Sequence, residues 1–148
     1  MLASPGSDTT MKHVHLTGAV VIAAVATLVG CGGADDPVDG KAFLLVEATG
    51  IDSLQGAPLR LEFSDGSVGV TGGCNLIGGA YEVDGDTLIV ETMIQTEMAC
   101  EQPRMDQDAA IIEFLQARPD IAVNGTVLTL SEGARTTTWD AVPLSKEE

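Results

Sequence analysis

The stretch Ile121-Ala122-Val123-Asn124-Gly125-Thr126-Val127-Leu128-Thr129-Leu130 decides the fold class. Two aliphatic, β-branched runs flank Asn-Gly, a dipeptide that tolerates the positive φ angles of a type I′ hairpin turn. In the second run Leu128 and Leu130 alternate with Thr129, the period of a strand with one buried face. Working outward, Glu132-Gly133 turns the chain into Arg135 to Trp139. Upstream, Leu59-Arg60-Leu61-Glu62-Phe63 alternates in the same way, and Asp65-Gly66 leads into Val68-Gly69-Val70. Asp84-Gly85 then joins Tyr81-Glu82-Val83 to Leu88-Ile89-Val90. Turn dipeptides at this close spacing indicate an antiparallel meander. The alternation puts Leu59, Leu61, Phe63, Leu88, Val90, Leu128 and Leu130 inward and turns Arg60, Glu62 and Thr129 the other way.

One segment breaks the period of two. Pro103 to Ala117 places Met105, Ala109, Ile112 and Leu115 at helical spacing, and Ile111 and Phe114 widen the stripe. Pro103 suits a first helical turn, while Glu101, Asp106 and Asp108 lie near the positive end of the dipole and Arg118-Pro119 closes the other end. The expected architecture is mainly β, in the α+β class. It is a curved antiparallel meander of about seven to eight strands, open or barrel-like, with one α-helix over about 103–117 packed across it.

Ahead of this domain, residues 1–30 read as an export signal. Lys12, His13 and His15 make a weakly basic start, and Val14 to Val29 is an apolar run shorter than the roughly 20 residues of a membrane span. Met11 is the better start, because the preceding ten residues carry an acid and a proline. The run ends in Leu28-Val29-Gly30-Cys31, which resembles the lipobox of bacterial lipoproteins. That resemblance implies a diacylglyceryl group on Cys31 and cleavage that makes Cys31 the first residue. The partner it implies is the membrane, through an N-terminal lipid on the cell envelope. Residues 31–40, with Asp35, Asp36 and Asp39, read as a flexible tether without the spacing of a calcium loop. Residues 41–142 form the domain, and 143–148 a polar tail.

With Cys31 assigned to lipid, Cys74 and Cys100 remain, in an exported and therefore oxidising setting. A structural disulfide is expected, worth on the order of 3.5 kcal/mol by the chain-entropy model for a loop of this length. A redox-active pair is the competing reading, but there is no Cys-x-x-Cys spacing and no neighbouring lysine or histidine to lower a thiol pKa.

Val68-Gly69-Val70-Thr71-Gly72-Gly73-Cys74-Asn75, followed by Gly78-Gly79-Ala80-Tyr81, resembles the Gly-Cys-Asn signature of the META domain family, the HslJ-like proteins. Thr96-Glu97-Met98-Ala99-Cys100 is similar to that family's Thr-x-Met-Ala-Cys element, and Gly125 to Leu130 to its terminal strand. The chain departs from the pattern at Phe43, where a Trp is common, and in offering Asp106 or Asp108 for an acid that is most often Glu. The resemblance implies a correlated cysteine pair and an envelope setting linked to stress response, novobiocin resistance and motility. It implies no catalytic residues and no common molecular activity.

Composition narrows the function classes. The chain has 148 residues with 22 acids against 7 basic residues, a net charge of −15, which gives no basis for holding phosphate and excludes nucleic acid as a partner. His13 and His15 are the only histidines and both precede Cys31, so the mature chain lacks the imidazole needed for Ser-His-Asp or Cys-His catalysis or for histidine-bound zinc. No metal or cofactor is expected. Five aromatic residues leave little for sugar stacking, and Asp65-Gly66-Ser67-Val68-Gly69 falls short of a nucleophile elbow. Two readings remain ahead of a hydrolase: a non-catalytic module that binds an envelope protein or is stress-protective, and a small-ligand-binding protein. For the second, Asn75, Tyr81 and Thr96 gather as a polar site beside the cysteines. The plainer reading of Gly-Gly-Cys-Asn is a conformationally special corner of the sheet.

Overall fold

The computed structural model describes Gly6 and residues 35–146. The signal segment, the start at Met11 and the lipid site at Cys31 lie outside the described residues. The strands are β1 (Lys41–Thr49), β2 (Arg60–Ser64), β3 (Ser67–Thr71), β4 (Ile77–Ala80), β5 (Glu82–Asp84), β6 (Thr87–Ile89), β7 (Met93–Gln95), β8 (Asp120–Asn124), β9 (Val127–Glu132) and β10 (Arg135–Val142). The helix α1 spans Gln102–Gln116, and a 3-10 turn occupies Asp52–Leu54. The fold is therefore the expected mainly-β meander with one helix, with ten strands among the described residues where about seven or eight were expected: β1 has an apolar run without alternation, β4 carries Gly78-Gly79, and β7 is too brief to show a period.

All ten strands join one antiparallel sheet in the order β5-β6-β8-β9-β10-β1-β2-β3-β4-β7. Its curl follows from connectivity. Tyr81 alone separates β4, near one end of that order, from β5, at the other. A flat ten-stranded sheet would span roughly 40 Å at about 4.8 Å per strand, which one residue cannot bridge. The sheet therefore bends into a half-barrel whose ends are held together by the chain.

The concave side holds the core. Leu59, Leu61, Phe63, Leu88, Val90, Leu128 and Leu130 are all buried, as alternation requires, while Arg60, Glu62 and Thr129 are only half-buried. Phe63 stands edge-on to both Phe43 and Tyr81, with ring centroids 6.2 and 4.9 Å away. Trp139 is fully buried, and its indole N–H donates to Thr137 Oγ1 at 2.8 Å, which keeps that polar atom satisfied inside the core.

Two local expectations change. Asn124 pairs with Val127 as the last strand residue, so the loop is Gly125-Thr126. Only Gly125 has positive φ, at +63°, the φ order of a type II′ turn and not of type I′. The two positive φ angles of a type I′ turn occur at Asp65 and Gly66 instead. The helix is also rotated from its expected face. Asp108, Ile111, Phe114 and Leu115 are buried, Met105 and Ala109 are exposed, and Ile112 is half-buried. Apolar counting missed this because the innermost residue of the first two turns is a carboxylate. The helix packs on the 3-10 turn and on β6; it ends at Gln116, and beyond the cap Ala117 the chain turns away at Arg118, which has φ +58° before Pro119.

Residues 36–40, read as tether, are bonded into the fold. Asp36 Oδ1 accepts from the N–H groups of Val38 and Asp39 at 2.9 and 3.2 Å, and Val38 is fully buried.

Candidate functional site

The Gly72-Gly73-Cys74-Asn75 corner links β3 to β4. Gly72 has a φ of +101°, and a Cβ there would run into the Pro58 carbonyl; one at Gly73 would run into the Asp108 carboxylate. The two glycines are thus required by close approach, which brings the corner onto the helix. Asp108 then accepts three hydrogen bonds: from Cys74 N–H at 3.0 Å, from Asn75 N–H at 2.7 Å and from the Asn75 side-chain amide at 3.0 Å. The Arg104 guanidinium donates to the Gly73 carbonyl. Cys74 and Cys100 are disulfide-bonded with their Cα atoms 5.8 Å apart, inside the normal range.

Asn75 and Thr96 come together, as Thr96 Oγ1 donates to Asn75 Oδ1 at 3.0 Å. Met98 N–H donates to the same oxygen at 2.7 Å, and Leu76 N–H donates to Thr96 Oγ1 at 3.1 Å. Asn75 and Thr96 therefore spend their polar atoms on each other, on Asp108 and on the backbone. Tyr81 does not join them. Its hydroxyl donates to Asp36 Oδ2 at 2.6 Å, and burial together with that bond and the Asp36 and Asp39 charges raises its pKa. Among the described residues no group of three or more His, Cys, Asp or Glu side chains could hold a metal.

A concave surface lies elsewhere, on the convex side of the sheet. The registers place Glu62 beside Gly69, Gly69 beside Gly78, and Gly78 beside Ile94, a row of same-face residues across β2, β3, β4 and β7. The two central positions have no side chain, so the floor drops to the level of the backbone. Arg60 and Glu62 form one bank and Ile94, three-quarters exposed, the other. The groove has a volume of about 830 Å³, within the range of small-molecule sites.

Its polar bank is structured. Arg60 Nη2 donates to Glu62 Oε2 at 3.1 Å and to the Pro143 carbonyl, while Ser145 gives Glu62 Oε2 its N–H at 3.3 Å and its hydroxyl at 3.0 Å. The segment read as a polar tail thus borders the groove. Partial burial pushes the Glu62 carboxyl upward, but the Ser145 bonds and the Arg60 guanidinium outweigh it and hold the pKa below its ordinary value. Sequence reading missed this groove because Gly69 and Gly78 carry a signal only when the register sets them side by side.

Comparison with known proteins agrees with this fold. The model of the META domain family matches residues 36–143. No curated protein matches. Among solved structures, the chain is similar to the NMR structure of a protein from Burkholderia xenovorans, with a TM-score of 0.59 at 23% identity over 71% of this chain and 83% of that one. It is also similar to the crystal structure of a DUF4847 family protein from Bacteroides vulgatus, with a TM-score of 0.53 at 14% identity over 70% of this chain and 94% of that one. At these identities the likeness is one of fold.

Proposed function

Because the chain belongs to the META domain family, we propose that it is a lipid-anchored, non-catalytic binding module of the bacterial cell envelope. The observation that carries this reading is the glycine-floored groove, a preformed concave surface whose bank consists of an ion pair bound to the chain's own tail. Catalysis needs a positioned nucleophile or a pair of titratable groups aimed at a common point. Here the carboxylate of the corner, Asp108, is buried and occupied by three donors, and that of the groove, Glu62, by Arg60 and Ser145. The lipobox-like Leu28-Val29-Gly30-Cys31 supports the anchor, and among the described residues no helix is long and apolar enough to cross a membrane. A small-ligand site at Asn75 and Tyr81 has less support, since those side chains bond to different parts of the fold.

Detergent-phase partitioning of cells expressing the parent and Cys31→Ser tests the anchor: the parent enters the detergent phase and the variant does not. Equal partitioning and equal maturation sink that part. For the binding role, components captured from envelope extract are compared between the parent and Gly78→Val, which fills the groove. Components retained equally by both would place binding elsewhere.

A further inference from the structure

We propose that the groove over Gly69 and Gly78 holds the acyl chain of a bilayer lipid, lying along the strands with its head group left outside at the Ser64, Ser67 and Ala80 end. This rests on the reading of the chain as an envelope-anchored binding module and names what it binds.

Charge is the first argument. The protein carries a net charge of −15, yet among the described residues the charged ones lining the groove are one cation and one anion, Arg60 and Glu62, which pair at 3.1 Å. A charged ligand seated there gains no unpaired counter-charge, and an anionic one is opposed by the field of the whole chain. Hydrogen bonding is the second. The floor is the face of a sheet whose N–H and C=O groups are consumed by the β2-β3-β4-β7 ladders. A peptide laid across it would bury amide groups without partners, whereas a hydrocarbon chain brings none. Third, among the described residues no aromatic ring lines the groove, so sugars and nucleobases find no stacking platform. What remains favourable is apolar contact with Ala80, Ile94 and the threonine methyls.

Position supplies the fourth argument. Asp65 N–H donates to Asp39 Oδ1 at 3.0 Å, and Tyr81, next to Ala80, donates to Asp36. The Ser64–Ser67–Ala80 end of the groove therefore adjoins the segment where the folded domain begins. Cys31 lies five residues before Asp36, a reach of at most about 18 Å. A lipid on Cys31 holds that end of the groove at the bilayer surface, where acyl chains are the most abundant apolar ligand. Along β2 the groove runs five residues, roughly 16 Å, so the greater part of an extended acyl chain lies in it.

The test uses the full chain, matured in cells and reconstituted into phosphatidylethanolamine/phosphatidylglycerol vesicles. These contain a phospholipid with a diazirine midway along one acyl chain. After irradiation, adducts are mapped by mass spectrometry. They are expected on the segments carrying Thr71, Gly78–Ala80 and Ile94, and are expected to fall at least tenfold in Gly78→Val. A Cβ at Gly78 meets nothing closer than the Val68 carbonyl at 3.7 Å, and an unchanged melting temperature confirms that the variant folds. Ile94→Asp, on the exposed bank, serves as the second variant and lowers labelling in the same segments. Adducts confined to the tether and tail, or unchanged in both variants, overturn the proposal. Vesicle flotation reads the anchor separately. If the chain does not float, the anchor reading fails alone, and a diazirine-labelled lysophospholipid is offered to the same chain in solution. Labelling sensitive to Gly78→Val then supports the groove, and insensitive or absent labelling overturns it.

Discussion

Asp108 Oδ2 receives two hydrogen bonds from Asn75, one from its backbone N–H at 2.7 Å and one from its side-chain amide at 3.0 Å. The second carboxylate oxygen takes Cys74 N–H at 3.0 Å, so one buried side chain on α1 satisfies a corner of the sheet 33 residues earlier in sequence. The disulfide runs parallel to this link, joining the same corner to the segment that enters the helix. Helix and sheet are thus fastened twice at one place, once covalently and once by charge-assisted hydrogen bonds.

Removing the carboxylate should be costly, since buried donors left without an acceptor carry a full desolvation penalty. Asp108→Ala is expected to lower stability by on the order of 3 kcal/mol, and Asp108→Asn by less, because its amide oxygen still accepts. Denaturant unfolding followed by Trp139 fluorescence measures both, and an Asp108→Ala loss below about 1 kcal/mol would show that the link is idle.

Reducing the disulfide is expected to cost on the order of 2 to 5 kcal/mol. Mass spectrometry of the unreduced protein should find no free thiol at Cys74 or Cys100, and the melting curve should shift down with reductant. Since both fasteners hold one corner, their losses should not add, and a double-mutant cycle between Asp108→Ala and Cys100→Ser should give a coupling of about 0.5 to 3 kcal/mol.

The glycines give a graded series. Gly72→Ala places a Cβ against the Pro58 carbonyl at φ +101°, combining backbone strain with a clash, and should cost more than about 2 kcal/mol. Gly125→Ala, at φ +63° with open space around it, should cost only about 1 kcal/mol. Equal effects in thermal melts would refute the close approach of the corner to the Pro58 carbonyl.

Acid should release the tail from the groove's bank. The Glu62 pKa is lowered in the fold, so the stabilisation tied to its charge is present above the ordinary value of 4.5 and is lost as pH falls through the lower folded value. The Ser145 amide resonance should therefore titrate with a midpoint below 4.5, and Glu62→Gln should abolish that titration. A midpoint at or above the ordinary value would mean that the tail bonds contribute nothing in solution.

Much of the fold was legible because its signals are local. The alternation in Leu59 to Phe63 and Leu128 to Leu130 follows from one face meeting the core, and glycine-bearing turn dipeptides mark the reversals. The face of α1 was not legible, because its innermost early residue is Asp108, which a hydrophobicity count reads as outward. The buried carboxylate is explained only by the three donors that the corner supplies from across the chain.

By itself the sequence determined most strands and the approximate turns, the helix over about 103–117, the acidic charge and the expectation that Cys74 and Cys100 pair. These depend on side-chain period, on the backbone freedom of particular residues and on composition. Tertiary structure alone decided that Asn75 and Thr96 bond to each other while Tyr81 turns to Asp36, and that Gly69 and Gly78 sit side by side. The reason is strand register: a groove made by two missing side chains exists only once β3 and β4 are aligned residue against residue, and no pattern along the chain encodes which residue will stand opposite which.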